Sequence, residues 1–249
     1  YCTFNDDIQG TAAVVVAAVL SAVKSSGIPL NDHRIVIHGA GSAGTGIANL
    51  LVQLMVSQGA DEKTARSHFW GLGSHGLLRE GLRLRDFQQP FARNKEELEG
   101  WTLDSPDQYT LGDVVRNVHP TILIGCSAQP GAFTEDIVKT MAAQCERPVI
   151  MPLSNPTRKA EALPSDVLTW TDGRALVATE AVAMHIDNRV VGASLLPSIK
   201  SLRPLSASVA IAVAQQAMEE GVATEVTDNP VEKVFSAMWQ PRYPRIAVV

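Results

Sequence analysis

No surplus of positive charge marks this sequence: 21 Lys and Arg stand against 26 Asp and Glu, a formal net charge of −5. Without a basic footprint to neutralise phosphates or approach anionic lipid, nucleic acid and membrane surfaces drop out as expected partners. Paired cysteines are lacking as well. The three present, Cys2, Cys126 and Cys145, are odd in number and far apart, which argues against a disulfide framework or a Cys-x-x-Cys metal knuckle and predicts a reducing, cytoplasmic setting. No apolar run is long enough to span a bilayer. The richest, Thr11 to Val23, lacks the charged lead-in and cleavage site of a signal peptide and reads as a buried helix. There is no initiator Met, which suggests a fragment or a processed chain, and there is neither an internal repeat nor a low-complexity segment.

What is present is a chain of 249 residues, 45% hydrophobic, enough for one large core. A helix is expected from Gly10 or Thr11 to Gly27, with Pro29 as a stop signal. The β-branched run Arg34 to His38 follows as a buried parallel strand. Ile47, Leu50, Leu51, Leu54 and Met55 then recur at spacings of three and four, the pattern of a helix lying on a sheet and ending near Gly59. Further strands are expected at His68–Leu72, Thr121–Gly125, Pro148–Leu153 and Ala175–Ala178, and helices at Ala60–Ser67, Leu111–Asn117 and Thr134–Gln144. Leu77 to Trp101 reads as a charged surface excursion. Strands and helices alternating at this spacing predict an α/β fold, a Rossmann-like doubly wound parallel sheet whose ligand lies at the carboxyl ends of the strands. Beyond Leu195 the pattern becomes helical from Ser206 to Glu220 and then a Pro- and Trp-containing tail. The expected division is a dinucleotide-binding domain over 1–194 and a C-terminal helix and tail, 195–249, packing on that same domain.

The segment from His38 to Gly46 places glycines between a strand and a helix, where a pyrophosphate can meet backbone N–H groups at the positive end of the helix. Gly39 makes the tight turn in this reading. Gly41 lets the phosphates approach, and Gly44 or Gly46 allows close packing of helix on sheet. The alternative is a tight strand-to-helix turn with no ligand. An acidic residue normally ends the next strand and holds the ribose 2′-OH, but Gly73 occupies that position, followed by Ser74 and His75. Without a carboxylate a 2′-phosphate is tolerated, with Ser74 and His75 as possible donors or His75 as a mere turn residue.

Asp6 and Asp7 are adjacent carboxylates just before a helix, suited either to its dipole or to a hard divalent cation with one acid orienting a catalytic group. They cannot complete a metal site alone. Asn155, after the strand ending at Leu153, sits where a side-chain amide could meet substrate or nicotinamide; an Asn-Pro turn is the other reading.

Three motifs in order, FNDDIQGTA at Phe4 to Ala12, HGAGSAGTGIANLL at His38 to Leu51 and PLSNPTRKAE at Pro152 to Glu161, resemble the NAD-binding domain of malic enzymes and of the related malolactic enzymes. The segments Pro120 to Gly131, Trp170 to Thr179 and Met238 to Tyr243 add to the likeness. The resemblance implies NAD(P)-dependent oxidative decarboxylation of L-malate to pyruvate and CO2, with Mg2+ or Mn2+ polarising the substrate oxygen. By motif, Asp7 becomes a metal ligand and Asp6 its catalytic neighbour. Gly39, Ala40, Gly41, Ser42, Ala43 and Gly46 bind the cofactor, Ser127 lies near it, and Asn155 contacts malate. The resemblance also implies a homo-oligomer, dimer or tetramer.

The sequence departs from the family's pattern in three places. The family's catalytic Tyr and Lys, its malate-binding Arg and further acidic metal ligands belong to an N-terminal domain lacking here, so this polypeptide alone is not expected to turn over malate. After Thr179 a Gly-Ser-Pro-Phe loop and a Gly-Gln-x-Asn-Asn segment are replaced directly by Glu180 to His185, as if segments had been left out of the chain. Gly73 leans to NADP, whereas Gln88 falls where NADP-preferring relatives often carry Lys, so the balance is NAD with NADP possible. Two alternatives stay open: malolactic conversion of malate to lactate, and a non-catalytic dinucleotide-binding or interaction module.

Overall fold

The computed structural model describes residues 9–178, 202–219, 221, 223 and 225–238. Two compact units divide the chain, 1–197 and 198–249. In the first, helix α1 (Thr11–Ser26) ends on Gly27 at φ 72°, a left-handed cap that returns its N–H to the Val23 carbonyl. Strand β1 (Ile35–His38), helix α2 (Ser42–Ser57), the short helix α3 (Glu62–Ser67) and strand β2 (Phe69–Gly73) follow. A two-residue strand β3 (Gly76–Leu77) precedes a long loop, then come α4 (Leu111–Val118), β4 (Ile122–Gly125), α5 (Glu135–Gln144), β5 (Val149–Pro152), α6 (Pro164–Trp170) and β6 (Leu176–Val177). The six strands form one sheet in the order β3-β2-β1-β4-β5-β6, parallel except for β3, which pairs antiparallel with β2.

Both faces of the sheet are covered, as its near-continuous apolar strands require. Along β1, Ile35 and Ile37 face α1 and α2 with Ile122, Ile124, Val149 and Met151, while Val36 faces the opposite way with Leu123 and Ile150 towards α4, α5 and α6. The period of two therefore splits one strand between two cores. At the amino ends of the strands, buried His33 joins β1 to β4: its Nδ1 lies 2.9 Å from the Thr121 hydroxyl and its Nε2 3.2 Å from the Ile28 carbonyl. A carbonyl only accepts, so Nε2 carries the proton of a neutral ring. Burial lowers the His33 pKa below its ordinary value, opposed by the Ile28 hydrogen bond and the charge of Asp32.

Three segments differ from the sequence expectation. The excursion from Leu77 to Trp101 is anchored rather than superficial: Leu77, Leu78, Phe91 and Leu98 are buried, and Phe91 meets the edge of Phe69 at a centroid distance of 6.0 Å. Arg93 lies 4.5 Å over the Trp70 ring, whereas Glu80, Arg83, Arg85, Asp86, Lys95, Glu96 and Glu99 are exposed, so apolar side chains anchor the segment while most of its charge meets solvent. Helix α6 is too short to show a period. In the second unit, α7 (Leu202–Glu219) matches the helical pattern, whereas α8 (Pro230–Ala237) lies within the segment read as tail. Its start is locally written: Asn229 accepts from the Glu232 N–H, and Pro230 occupies the first turn. Among the described residues no helix is long and apolar enough to cross a membrane.

Candidate functional site

Strand order reverses between β1 and β4, and the crevice at that switch point is where a doubly wound sheet takes its ligand. The chain leaves β1 through Gly39 at φ 107°, so close to β4 that a Cβ there would stand 2.3 Å from the Cys126 carbonyl carbon. Gly44 is equally constrained: a Cβ would stand 2.3 Å from the Gly39 oxygen, so only glycine lets the first turn of α2 settle against the strand end. Gly41 is the opposite case. It caps α2 with no side-chain hydrogen bond, and nothing lies within 4 Å of where its Cβ would be. The N–H groups of the helix's first turn therefore face an open approach, the arrangement that receives a pyrophosphate.

This turn forms one wall of a cleft of about 780 Å³, within the size range of cofactor pockets. On the β2 side, Gly73, Ser74 and His75 border the cleft, and so do Arg83 and Arg85 from the anchored excursion. Among the described residues no Asp or Glu lines it. A Cβ at Gly73 would make ordinary contact with Leu78, so the missing acid is not imposed by crowding. Gln88 donates from Nε2 to the Ala40 carbonyl at 2.7 Å and accepts the Arg85 N–H at 3.0 Å. The side chain weighed as a cofactor selector thus ties the excursion to the Gly-rich turn.

On the other side, the loops after β4 and β5 meet on one side chain. Fully buried Glu161 accepts at Oε1 from the Ser127 N–H (2.8 Å), the Ser127 hydroxyl (2.7 Å) and the Ser154 hydroxyl (2.6 Å), and at Oε2 from the Ser154 N–H (3.3 Å). Gly125 makes room for it, since a Cβ there would stand 2.6 Å from the carboxyl carbon. His38 lies at the cleft floor against Phe133, with neither ring nitrogen in a completed hydrogen bond. Burial lowers its pKa, opposed first by the charge of Glu161 and then by the neighbouring Gln129 side chain.

The sequence-predicted residues divide accordingly. Gly39, Ala40, Gly41 and Ser127 border the cleft together; Ser42 and Ala43 open the first turn of α2, and Gly46 lies a turn further in. Asn155 is exposed in the loop after β5, beside Ser154, and does not border the cleft. Asp6 and Asp7 lie outside the described residues, as do Thr179 to Ser201, where the family's pattern breaks. Among the described residues no three His, Cys, Asp or Glu gather to hold a metal, so these residues alone do not fit the expected Mg2+ or Mn2+. Sequence reasoning passed over Glu161 and Ser154, although both stand inside the PLSNPTRKAE motif, and over Arg83 and Arg85. A charged residue two positions before the apolar Leu163 carries no local signal of burial; only the fold discloses its four donors.

A six-stranded sheet in this order with a glycine-lined cleft at its switch point defines a Rossmann-type dinucleotide-binding domain. A family model described as malic enzyme, NAD binding domain, matches residues 8–181. The chain belongs to the malic enzyme family and carries its NAD-binding domain. NAD-dependent malic enzyme 3 of Bacillus subtilis is 40% identical over 299 aligned residues, covering 100% of this chain and 53% of that protein. The NAD-dependent malic enzyme of Aliivibrio fischeri is 37% identical, covering 98% of this chain and 52% of that protein. The chain therefore spans about half the length of these relatives, and an alignment longer than 249 residues means the first of them has segments this chain does not. Among solved structures, an Entamoeba histolytica malic enzyme superposes with a TM-score of 0.66 at 20% identity over 94% of this chain and 52% of that one, a likeness of fold. The NAD-dependent malic enzyme of Thermotoga maritima gives 0.56 at 25% identity over 94% and 58%. The malolactic alternative gains no support over the malic one from these matches.

Proposed function

We propose that this chain is the cofactor-holding part of an NAD-dependent malic enzyme that oxidises and decarboxylates L-malate to pyruvate and CO2. The observation that carries this reading is the cleft at the switch point, where uncapped N–H groups of α2 meet an approach kept open by Gly41. Gly39, Ala40, Gly41, Ser42 and Ala43 hold the pyrophosphate, Gly46 helps α2 lie close behind it, and Ser127 borders the far half. A bound nicotinamide supplies hydride acceptance. The chain's own contribution is to orient that ring and keep a wall of protein behind it, with Asn155 brought to malate by the loop after β5.

NAD is the cofactor in this reading, and a cleft with no carboxylate among its described lining residues, bordered also by Arg83 and Arg85, leaves room for NADP as well. Asp7, with Asp6 beside it, is proposed as a ligand of Mg2+ or Mn2+ on the strength of the FNDDIQGTA motif, the remaining ligands and the proton-transfer groups coming from an N-terminal catalytic domain. A cytoplasmic homo-oligomer fits the widely spaced cysteines and the family. The test is turnover by the intact protein with L-malate, Mn2+ and either NAD+ or NADP+. Pyruvate and reduced cofactor formed in equal amounts are expected; lactate without release of reduced cofactor, or no product, overturns the reading.

A further inference from the structure

Glu161 is a carboxylate with no exposed surface, and no Lys or Arg pairs with it among the described residues. Removing a carboxylate from water is costly, and an apolar residue would fill the same space at less expense to the fold. Its donors are not scattered. All four belong to Ser127 and Ser154, each two residues beyond the end of its strand, β4 and β5. The two loops are further locked by the Ala128 N–H donating to the Ser154 hydroxyl at 2.8 Å, and by the Phe133 N–H donating to the Glu161 carbonyl at 3.0 Å.

The position of this clamp has a meaning in the fold. A dinucleotide whose pyrophosphate rests on α2 and whose adenosine lies towards β2 must extend its other half across the switch point, over the ends of β4 and β5. Those are the ends Glu161 joins. Ser127 borders the cleft, and Ser154 precedes Asn155. Gly125, the last residue of β4, is bare where Glu161 enters, so strand end and carboxylate form one fitted unit.

We infer that Glu161 is a positioning residue for the nicotinamide half of the site: by accepting four hydrogen bonds it fixes the Ser127 and Asn155 loops relative to each other, while the adenosine half is held without it. This rests on the dinucleotide reading proposed above. The consequence is a split that general loosening of the fold would not give. Glu161→Gln keeps the volume and one acceptor oxygen but sets an amide N–H₂ against the Ser154 N–H, donor on donor. Ser154→Ala deletes the shortest of the four bonds and leaves the carboxylate in place.

The experiment measures calorimetric binding of NAD+ and of ADP, which carries only the adenosine half, to the intact protein and to both variants, with the malate KM followed in parallel. For Glu161→Gln the NAD+ Kd and the malate KM are expected to rise about tenfold, as for a lost hydrogen bond to a charged group, while the ADP Kd stays within about twofold. Ser154→Ala is expected to move the same quantities in the same direction by about threefold. Equal weakening of NAD+ and ADP, or no change in either, overturns the inference and leaves Glu161 a clamp of the fold alone. Failure of the unmodified intact protein to bind NAD+ would instead remove the dinucleotide reading on which the inference rests.

Discussion

The two sides of the cleft are built from different materials. On the β1–β2 side the work is done by backbone and by missing side chains: Gly39 and Gly44 permit contacts that a Cβ would block, Gly41 leaves an approach open, and Gly73 stands where an acid is usual. On the β4–β5 side it is done by a network of side chains converging on Glu161 from loops 34 and 7 residues away in sequence. A site made of absences is rigid because nothing else fits. One made of hydrogen bonds is rigid only while every partner is present, and it leaves a buried charge exposed to loss if one is removed.

A graded set of glycine substitutions would sharpen that contrast. Gly39→Ala meets immovable backbone at 2.3 Å and a φ of 107°, and is expected to cost about 3 kcal/mol or more and to abolish NAD+ binding. Gly125→Ala meets a side chain at 2.6 Å, so its cost, about 2 kcal/mol, is expected to fall when Glu161→Ala removes the obstruction. Gly41→Ala meets nothing, and its stability should stay within about 0.5 kcal/mol while NAD+ affinity drops. Urea unfolding of these variants against wild type, with Glu161→Ala alone as the reference for the double variant, checks the series. Equal losses for Gly39→Ala and Gly41→Ala would break the comparison between required and open positions.

A smaller effect separates the two ends of the sheet. His33 at the amino ends and His38 at the carboxyl ends both have pKa values lowered by burial, so below an ordinary value near 6.5 the unfolded chain binds more protons than the folded one. Stability is fully present above that pH and is lost as the pH falls from about 6.5 towards the lowered folded values. Thermal melts are expected to be flat from pH 8 to 7 and to decline as the pH falls below about 6.5. Saturating NAD+, proposed to rest over His38 at the cleft and away from His33, should preserve or deepen the slope, because it buries the neutral His38 ring further. A slope abolished entirely by cofactor, or absent without it, would contradict this assignment.

The same contrast explains what the sequence disclosed. Glycine spacing and strand-helix alternation are local signals, so the doubly wound sheet, its Gly-rich turn and the acid missing at Gly73 were legible from neighbouring residues. The anchoring of Leu77 to Trp101 was not, because Arg93 reads as surface charge until Trp70 lies beneath it, and the buried Leu77, Leu78, Phe91 and Leu98 stand at no regular spacing. Glu161 was hidden for a related reason: its burial is decided by Ser127, which only the pairing of β4 with β5 brings near. Asn155 lies exposed in the loop after β5, where the strand-end position put it, and its contact with malate is a proposal.

The most direct measurement is the thermal unfolding of the intact protein as NAD+ is added. Binding to the folded state alone stabilises by about 2.7 kcal/mol at a hundred times the Kd, so the melting temperature should climb steadily with concentration, and Gly41→Ala should shift that climb to higher NAD+ without moving the ligand-free melt. No shift at millimolar NAD+ in the unmodified protein would contradict the account.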